Sequence, residues 1–294
     1  MLNLMCEIIT AEYVRSKLGE RPADSHKGKN GRGLVIAGSG GMPGAAVMCA
    51  AAALRAGIGT LRVLTAADRD AFYNLPEAMT QCVSGWDGCP NSALIEAIND
   101  VTCAAVGPGM GTDEHVLDAV LAVISSKKPA VVDADGLNAL ARTDGARMLH
   151  ENIVVTPHIG EMSRLTGLST AEVAADMASC ARRFAAMWGC TVLLKSDRSV
   201  AAAPDGRLMR NENGNAGLAK GGSGDVLCGI TLAMLGQGLA PFEAACAASY
   251  ILGASADEAF KLLGLRVLMA RDVIDVIQNT VDGHIFKNEE DTTC

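Results

Sequence analysis

The stretch "AVVDADGLNALARTDGARMLHENIVVTPHIGEMSRLTG", residues 130–167, decides the fold. Two strand signals, "AVVDAD" (130–135) and "IVVTPH" (153–158), each lead with a short unbroken apolar run and end in polar residues. Such runs mark strands buried on both faces. Each is followed by a helix-forming segment, "GLNAL" after the first and 159–166 after the second. Strand, helix, strand, helix implies right-handed crossovers and a parallel sheet with helices on both faces. Ligands of such a sheet collect beyond the carboxyl ends of its strands. The polar ends of these two runs are therefore the first places to look for chemistry.

The same rhythm extends outward in both directions. Upstream lie strand signals "LVIAG" (34–38), "TLRVLT" (60–65) and "AAVGPG" (104–109), with helices over Pro43–Ala56 and 112–126. A leading helix, "ITAEYVRSKL", has Thr10 as its N-cap. Downstream come a helix over 170–188 and the strand "TVLLK" (191–195). Then "SVAAAPDGRLMRN" places two strand-like runs around Asp205-Gly206, a hairpin near 199–210. Helices follow over roughly 223–236, 241–260 and 270–279, and the polar tail "KNEEDTTC" is expected to fray. With no linker, repeat or low-complexity segment, the economical reading is one α/β domain over 1–294, its core about 10–280.

Bulk composition narrows the function classes. The net charge is −8, which argues against a nucleic-acid or membrane-surface partner held by bulk charge. No apolar run is long enough to span a bilayer. The N-terminus carries Glu7 early and has no basic region, against a signal peptide. The ten cysteines form neither CxxC pairs nor Cys/His clusters. Cys49, Cys103, Cys228 and Cys246 sit in Ala-rich apolar contexts and read as buried thiols, as suits a reducing cytoplasm.

Five loops should share the carboxyl rim: "GSGGMPG", "GPGMGTDE", "DADGLNAL", "TPHIGE" and "KSDRS", with the glycine loop at 214–225 able to join them. "GSGGMPG" lacks the GxGxxG register and its downstream acid, which disfavours a dinucleotide fold, and no P-loop is present. "GGSGDVLCGI" is more informative. Its glycines expose backbone N–H groups to an anion, and the helix beginning near Gly224 adds its positive dipole end. Asp225 falls in the first turn. As a simple helix acid it would need no such loop. As a base taking a proton from a hydroxyl, while the amides hold a phosphoryl group, it has a use for one. The helix dipole is expected to keep it ionised at neutral pH. Lys195, His158, Glu161, Asp133 and Asp135 each have a plain reading as strand-end, loop or capping residues. Only their joint placement at strand ends raises them.

Six stretches in this order resemble the ADP/ATP-dependent NAD(P)H-hydrate dehydratases of the ribokinase-like superfamily. They are "HKGKNGRGLVIAGSGGMPGAAVMCAAAALRAGIG", "AVGPGMG", "VVDADGLNAL", "VVTPHIGEMSRLTG", "VLLKSDRSV" and "NGNAGLAKGGSGDVLCGI". The resemblance covers about 10–280. It implies a ribokinase-like fold and ADP- or ATP-dependent return of the S epimer of NADHX or NADPHX to NADH or NADPH. The ring hydroxyl would be phosphorylated with Mg²⁺ and phosphate then eliminated. Many relatives carry an additional epimerase domain; this chain resembles the stand-alone dehydratase. By motif, Asp225 would be the base. Gly222, Ser223 and Gly224 would form the anion hole. Lys195, Ser196, Asp197, Arg198 and Ser199, with Gly224, would line the nucleotide site. Ala45, Gly109, His158 and Asp225 would contact the hydrated dinucleotide. The resemblance assigns no metal ligands. Where relatives have Lys-Gly, this chain has Lys195-Ser196, a change that adds a Cβ beside the nucleotide path. The resemblance also implies a homotetramer. Two other readings stay open: a small-molecule kinase of the same fold acting on a thiazole or pyrimidine alcohol, and a non-catalytic nucleotide-binding sensor.

Overall fold

The structure is a computed structural model that describes residues 6–87, 89 and 91–286. The polar tail 287–294, and Cys294 with it, lies outside the described residues. In chain order the elements begin with β1 (Glu7–Ile8) and α1 (Ala11–Leu18), whose Thr10 hydroxyl accepts from Tyr13 N at 3.1 Å. They continue through β2 (Arg32–Ile36), α2 (Pro43–Arg55), β3 (Thr60–Thr65), β4 (Ala78–Cys82), α3 (Asn91–Asn99) and β5 (Cys103–Val106). Next come α4 (Val116–Ser125), β6 (Ala130–Val132), α5 (Asp135–Ala141), β7 (Ile153–Val155) and α6 (Ile159–Thr166). Then follow α7 (Thr170–Ala175), α8 (Met177–Trp188), β8 (Thr191–Leu194), β9 (Val200–Ala202) and β10 (Leu208–Arg210). The chain closes with α9 (Ser223–Gly236), α10 (Pro241–Leu263) and α11 (Ala270–Thr280).

The strands form one sheet in the order β1-β10-β9-β8-β7-β6-β5-β2-β3-β4. Every pairing is parallel except those of β9 with β8 and β10, so β9 runs against the others. The expected hairpin is β9–β10. The chain winds outward from β2 through β3 to β4, then crosses back to place β5 on the other side of β2. That reversal falls between β2 and β5, and open sheets bind their ligands beyond the strand carboxyl ends at such a point.

Strand alternation divides the core into two layers. Val35, Ala105, Val131, Val154 and Leu193 point to the face covered by α2, α9, α10 and α11. Leu34, Ile36, Val106, Val132, Val155 and Val192 point to the face covered by α4, α5 and α8. The nearly all-apolar α2 is buried within the chain itself, packed on α9 and α11. Its approach to α9 is close enough that a side-chain carbon on Gly229 would lie 2.1 Å from the Cys49 carbonyl oxygen. Cys49, Cys103, Cys228 and Cys246 are buried free thiols.

Four features depart from the sequence reading. β4 is an edge strand, with Met79 and Cys82 exposed, so it lacks the apolar run that marks the central strands. α3 and the two-residue β1 are also new. The segment expected as one helix over 170–188 is broken at Asp176, whose backbone leaves the helical region and whose side chain caps α8 by accepting from Ser179 N at 3.0 Å. A carboxylate that satisfies a new helix start competes with continuing the old one.

Candidate active site

The strand-end loops meet on one rim, tied by a chain of short contacts. Gly38 N donates to the Pro108 carbonyl at 2.8 Å, joining the loops after β2 and β5. Gly111 N donates to Asp135 Oδ2 at 2.8 Å, joining those after β5 and β6. Lys195 N donates to the Pro157 carbonyl at 2.8 Å, and His158 pairs with Lys195 as a parallel bridge that prolongs β7 against β8.

At the centre stands Lys195. Its Nζ donates to Asp133 Oδ1 at 2.7 Å and lies 3.8 Å from Glu161 Oε2. Both carboxylates are nearly inaccessible, with side-chain exposures of 1% for Asp133 and 6% for Glu161. Burial alone would lower the Lys195 pKa, but Asp133 and Glu161 outweigh it and the pKa is raised. The ammonium therefore stays charged. Asp133 Oδ2 is buried and has no hydrogen-bond partner, and the same is true of Thr156 Oγ1 on the neighbouring strand end. Between Asp133 and Asp135, Ala134 is held at φ 50°, a left-handed conformation that costs a non-glycine residue about 1–3 kcal/mol. This strained turn sends its two carboxylates to different loops.

His158 caps α6. Its Nδ1 accepts from Gly160 N at 2.9 Å and Glu161 N at 3.2 Å, while Glu161 Oε2 accepts from His158 N at 2.8 Å. This is a reciprocal capping box with histidine in the serine position. An accepting Nδ1 puts the ring proton on Nε2, 3.3 Å from Glu161 Oε1. Burial, then Lys195 and Arg164, lower the His158 pKa and keep the ring neutral. Burial raises Glu161, against the pull of Lys195.

The glycine loop delivers α9 to this cluster. Gly222 is the N-cap at φ 99°, and a side chain there would meet Met48 Sδ at 2.5 Å and Ala270 Cβ at 2.9 Å. No side chain caps α9, so its first amides face the rim uncapped. Gly224 is different. A carbon placed on it would lie 3.5 Å from Lys195 Nζ and 3.8 Å from Asp133 Oδ2, ordinary contact distances. Nothing in the protein excludes a methyl group there.

Asp225 corrects the sequence reading. Burial, then Asp133, push its carboxyl up to about 7, with Asp135 adding and Lys195 opposing. The helix dipole expected to hold it ionised is outweighed by desolvation and a second carboxylate. Asp225 is half-protonated near neutrality, the range in which a base works best.

Of the residues singled out from sequence, Lys195, Gly224 and Asp225 converge with Asp133 and Glu161. Ala45 and Gly109 also meet: Gly109 has φ 61°, and a carbon on it would lie 2.7 Å from Ala45 Cβ. Ser196–Ser199 form a self-bonded turn. Ser196 Oγ accepts from Arg198 N at 3.0 Å, and Ser199 Oγ donates to the Ser196 carbonyl at 3.2 Å. Asp197 and Arg198 stay exposed on that turn. Asp133 and Glu161 were raised in the sequence only by their strand-end placement, because both also read as helix-start acids. Strand register is the signal that separates them, since Val132 pairs with Val155 and so aligns Asp133 with Thr156. Among the described residues no three His, Cys, Asp or Glu side chains converge to hold a metal ion.

The chain is similar to known proteins over nearly its whole length. The family profile of NAD(P)H-hydrate dehydratase matches residues 33–279. The bifunctional NAD(P)H-hydrate repair enzyme Nnr of Moorella thermoacetica is 41% identical over 92% of this chain. This chain spans about half of that relative, 53% of its length. The ADP-dependent (S)-NAD(P)H-hydrate dehydratase of Bacillus subtilis is 36% identical over 91% of this chain and 95% of its own. A crystal structure of ADP/ATP-dependent NAD(P)H-hydrate dehydratase from Bacillus subtilis, co-crystallized with ATP/Mg²⁺, superposes with a TM-score of 0.82 and 32% identity, covering 96% of this chain and 99% of that one.

Proposed function

Because the chain belongs to the NAD(P)H-hydrate dehydratase family, we propose that it returns the S epimer of NADHX or NADPHX to the reduced cofactor, using ADP or ATP as phosphoryl donor. The observation that carries this reading is Asp225 in the first turn of an uncapped helix, tuned to about 7 and set beside the charged Lys195. In this reading the transferring phosphoryl group lies against Gly222–Gly224. The α9 amides and Lys195 neutralise the charge that develops on it. Asp225 accepts the proton of the ring hydroxyl as its oxygen attacks phosphorus. Phosphate is then a far better leaving group than hydroxide. The ring nitrogen's electron pair expels it as an iminium, and loss of a proton from the adjacent ring carbon to solvent then restores the double bond.

The adenosine part of the nucleotide lies toward Lys195, Ser196, Asp197, Arg198 and Ser199. The hydrated ring sits between Asp225 and the neutral His158, with Ala45 and Gly109 touching the dinucleotide. Met42, whose carbonyl oxygen and Cβ crowd Gly109, walls the same side. The described residues do not fit a Mg²⁺ ion held by protein side chains alone. Mg²⁺ belongs to this reading as the companion of the nucleotide's phosphates, and no step is assigned to it. A homotetramer in the cytoplasm completes the proposal. Its support is a run of exposed apolar side chains from Phe260 to Met269, in which Leu262 is 72% and Val267 61% exposed.

The test is direct. Purified protein is given NADHX and NADPHX, with ADP and ATP in turn, and reduced-nicotinamide absorbance and inorganic phosphate are followed together. Recovery of absorbance with equimolar phosphate is expected. A stable phosphorylated product would favour the kinase reading, and nucleotide binding without turnover the sensor.

A further inference from the structure

Lys195 is the only cation shown to contact Asp133 and Glu161 among the described residues, and its position is not its own choice. A lysine side chain has four rotatable bonds and would rather hold its ammonium in water. Here Nζ is fixed at 2.7 Å from Asp133 Oδ1, with Glu161 Oε2, in the first turn of α6, at 3.8 Å. Asp133 is itself immobile: it is 1% exposed and follows directly on β6, next to the strained Ala134. One of its oxygens takes the lysine. The other is buried, unpartnered, and 3.8 Å from the point where a side chain on Gly224 would begin. A carboxylate so placed would be expelled from the interior without a countercharge.

We propose that Asp133 is the positioning residue of this site: its buried carboxylate holds the Lys195 ammonium beside Gly224, at the N-terminus of α9. This deepens the phosphoryl-transfer reading above and rests on it for its catalytic consequence. Asp133 touches neither substrate nor nucleotide in this arrangement. It acts through Lys195, with Glu161 as the weaker second tether. The arrangement explains why two buried acids accompany one lysine: a single exposed carboxylate would let the ammonium swing by an ångström or more. Misplacement on that scale can cost a reaction about 10²-fold.

Three measurements on the full chain decide it. Acetic anhydride labelling, mapped by mass spectrometry, reads the ammonium directly. In Asp133→Asn, burial with only the weaker Glu161 tether favours the neutral amine, so Lys195 should label at least ~10-fold faster while other lysines do not change. Unchanged labelling overturns the proposal. A stability cycle covers the case in which Asp133→Asn alone fails to fold. Lys195→Met should lower Tm by leaving Asp133 unpaired, and adding Asp133→Asn should restore much of the loss. Additive losses overturn it. For catalysis, Asp133→Asn should reduce kcat by about 10²-fold and leave ADP affinity within about threefold. Equal losses in both, or none in either, overturn it. A wild-type protein without turnover would sink the repair reading alone, and labelling and the stability cycle would still decide whether Asp133 holds Lys195.

Discussion

Asp225 is where one residue's environment sets the chemistry. Its carboxyl lies at about 7, because burial and Asp133 oppose its ionisation. If it is the base, kcat/KM should fall about tenfold per pH unit below 7, since that ratio reports the free enzyme. Asp225→Asn should lose that acid limb and about 10²–10⁴-fold in rate while still binding nucleotide. Wild-type turnover in this variant would reduce Asp225 to a helix acid. The same shift makes a stability prediction. The folded pKa is raised above the unfolded value of 3.8, so between the two the folded state holds a proton the unfolded state has lost. Stability from this group is present below about pH 4 and is lost as pH rises through 7. Asp225→Asn should therefore melt a few degrees higher than wild type at pH 8 and show no gain at pH 4. Two glycines nearby separate structure from function. Gly222→Ala must fit a side chain at φ 99° against Met48 and should destabilise by about 1–3 kcal/mol. Gly224→Ala meets only ordinary contacts, so Tm should hold, yet a methyl beside Lys195 should weaken ADP binding at least ~10-fold, measured by calorimetry. Unchanged ADP affinity in Gly224→Ala would remove the nucleotide from α9.

At the scale of elements, α9 carries the site and α2 holds α9. Their crossing depends on Gly229, where an added carbon would stand 2.1 Å from the Cys49 carbonyl and 2.9 Å from Ala52 Cβ. Backbone cannot yield as a flexible side chain can. Gly229→Ala should cost about 1–3 kcal/mol, read as a lower denaturation midpoint. Because Gly229 is one turn from Asp225, the same shift should lower kcat in the fraction that remains folded. A variant with normal stability would mean that the helices can part without cost. The β6–α5 turn is the complementary case. Ala134 accepts its strain so that Asp133 reaches Lys195 while Asp135 reaches Gly111 N.

For the whole molecule, the open matter is assembly. Phe260, Leu262, Leu263, Leu265, Val267 and Met269 are exposed together at the end of α10 and in the turn that leads to α11. Lys220, from the glycine loop, donates to the Arg266 and Leu268 carbonyls at 3.1 and 2.6 Å, so this turn is anchored to the loop that starts α9. Sedimentation of wild type should show a tetramer, and Leu262→Glu with Val267→Glu should reduce its mass. A monomer at micromolar concentration would dismiss the homotetramer.

The sheet, its direction and its hairpin were legible because central parallel strands are buried on both faces and leave continuous apolar runs. β4 left none, because an edge strand needs no such run, and β1 is too short to carry a pattern. Asp225 stood out in the sequence because a lone carboxylate follows "GGSG" at a helix start. What only the tertiary structure decided is electrostatic. Asp133, Glu161 and Lys195 are separated by as many as 62 positions along the chain, and each has a local role that explains it alone. Folding places them within one ion pair and shuts out water. That burial turns a lysine into a fixed charge, and it moves the Asp225 carboxyl from the ordinary acid range to about 7. A pKa depends on distance and solvent, and neither is written along the chain.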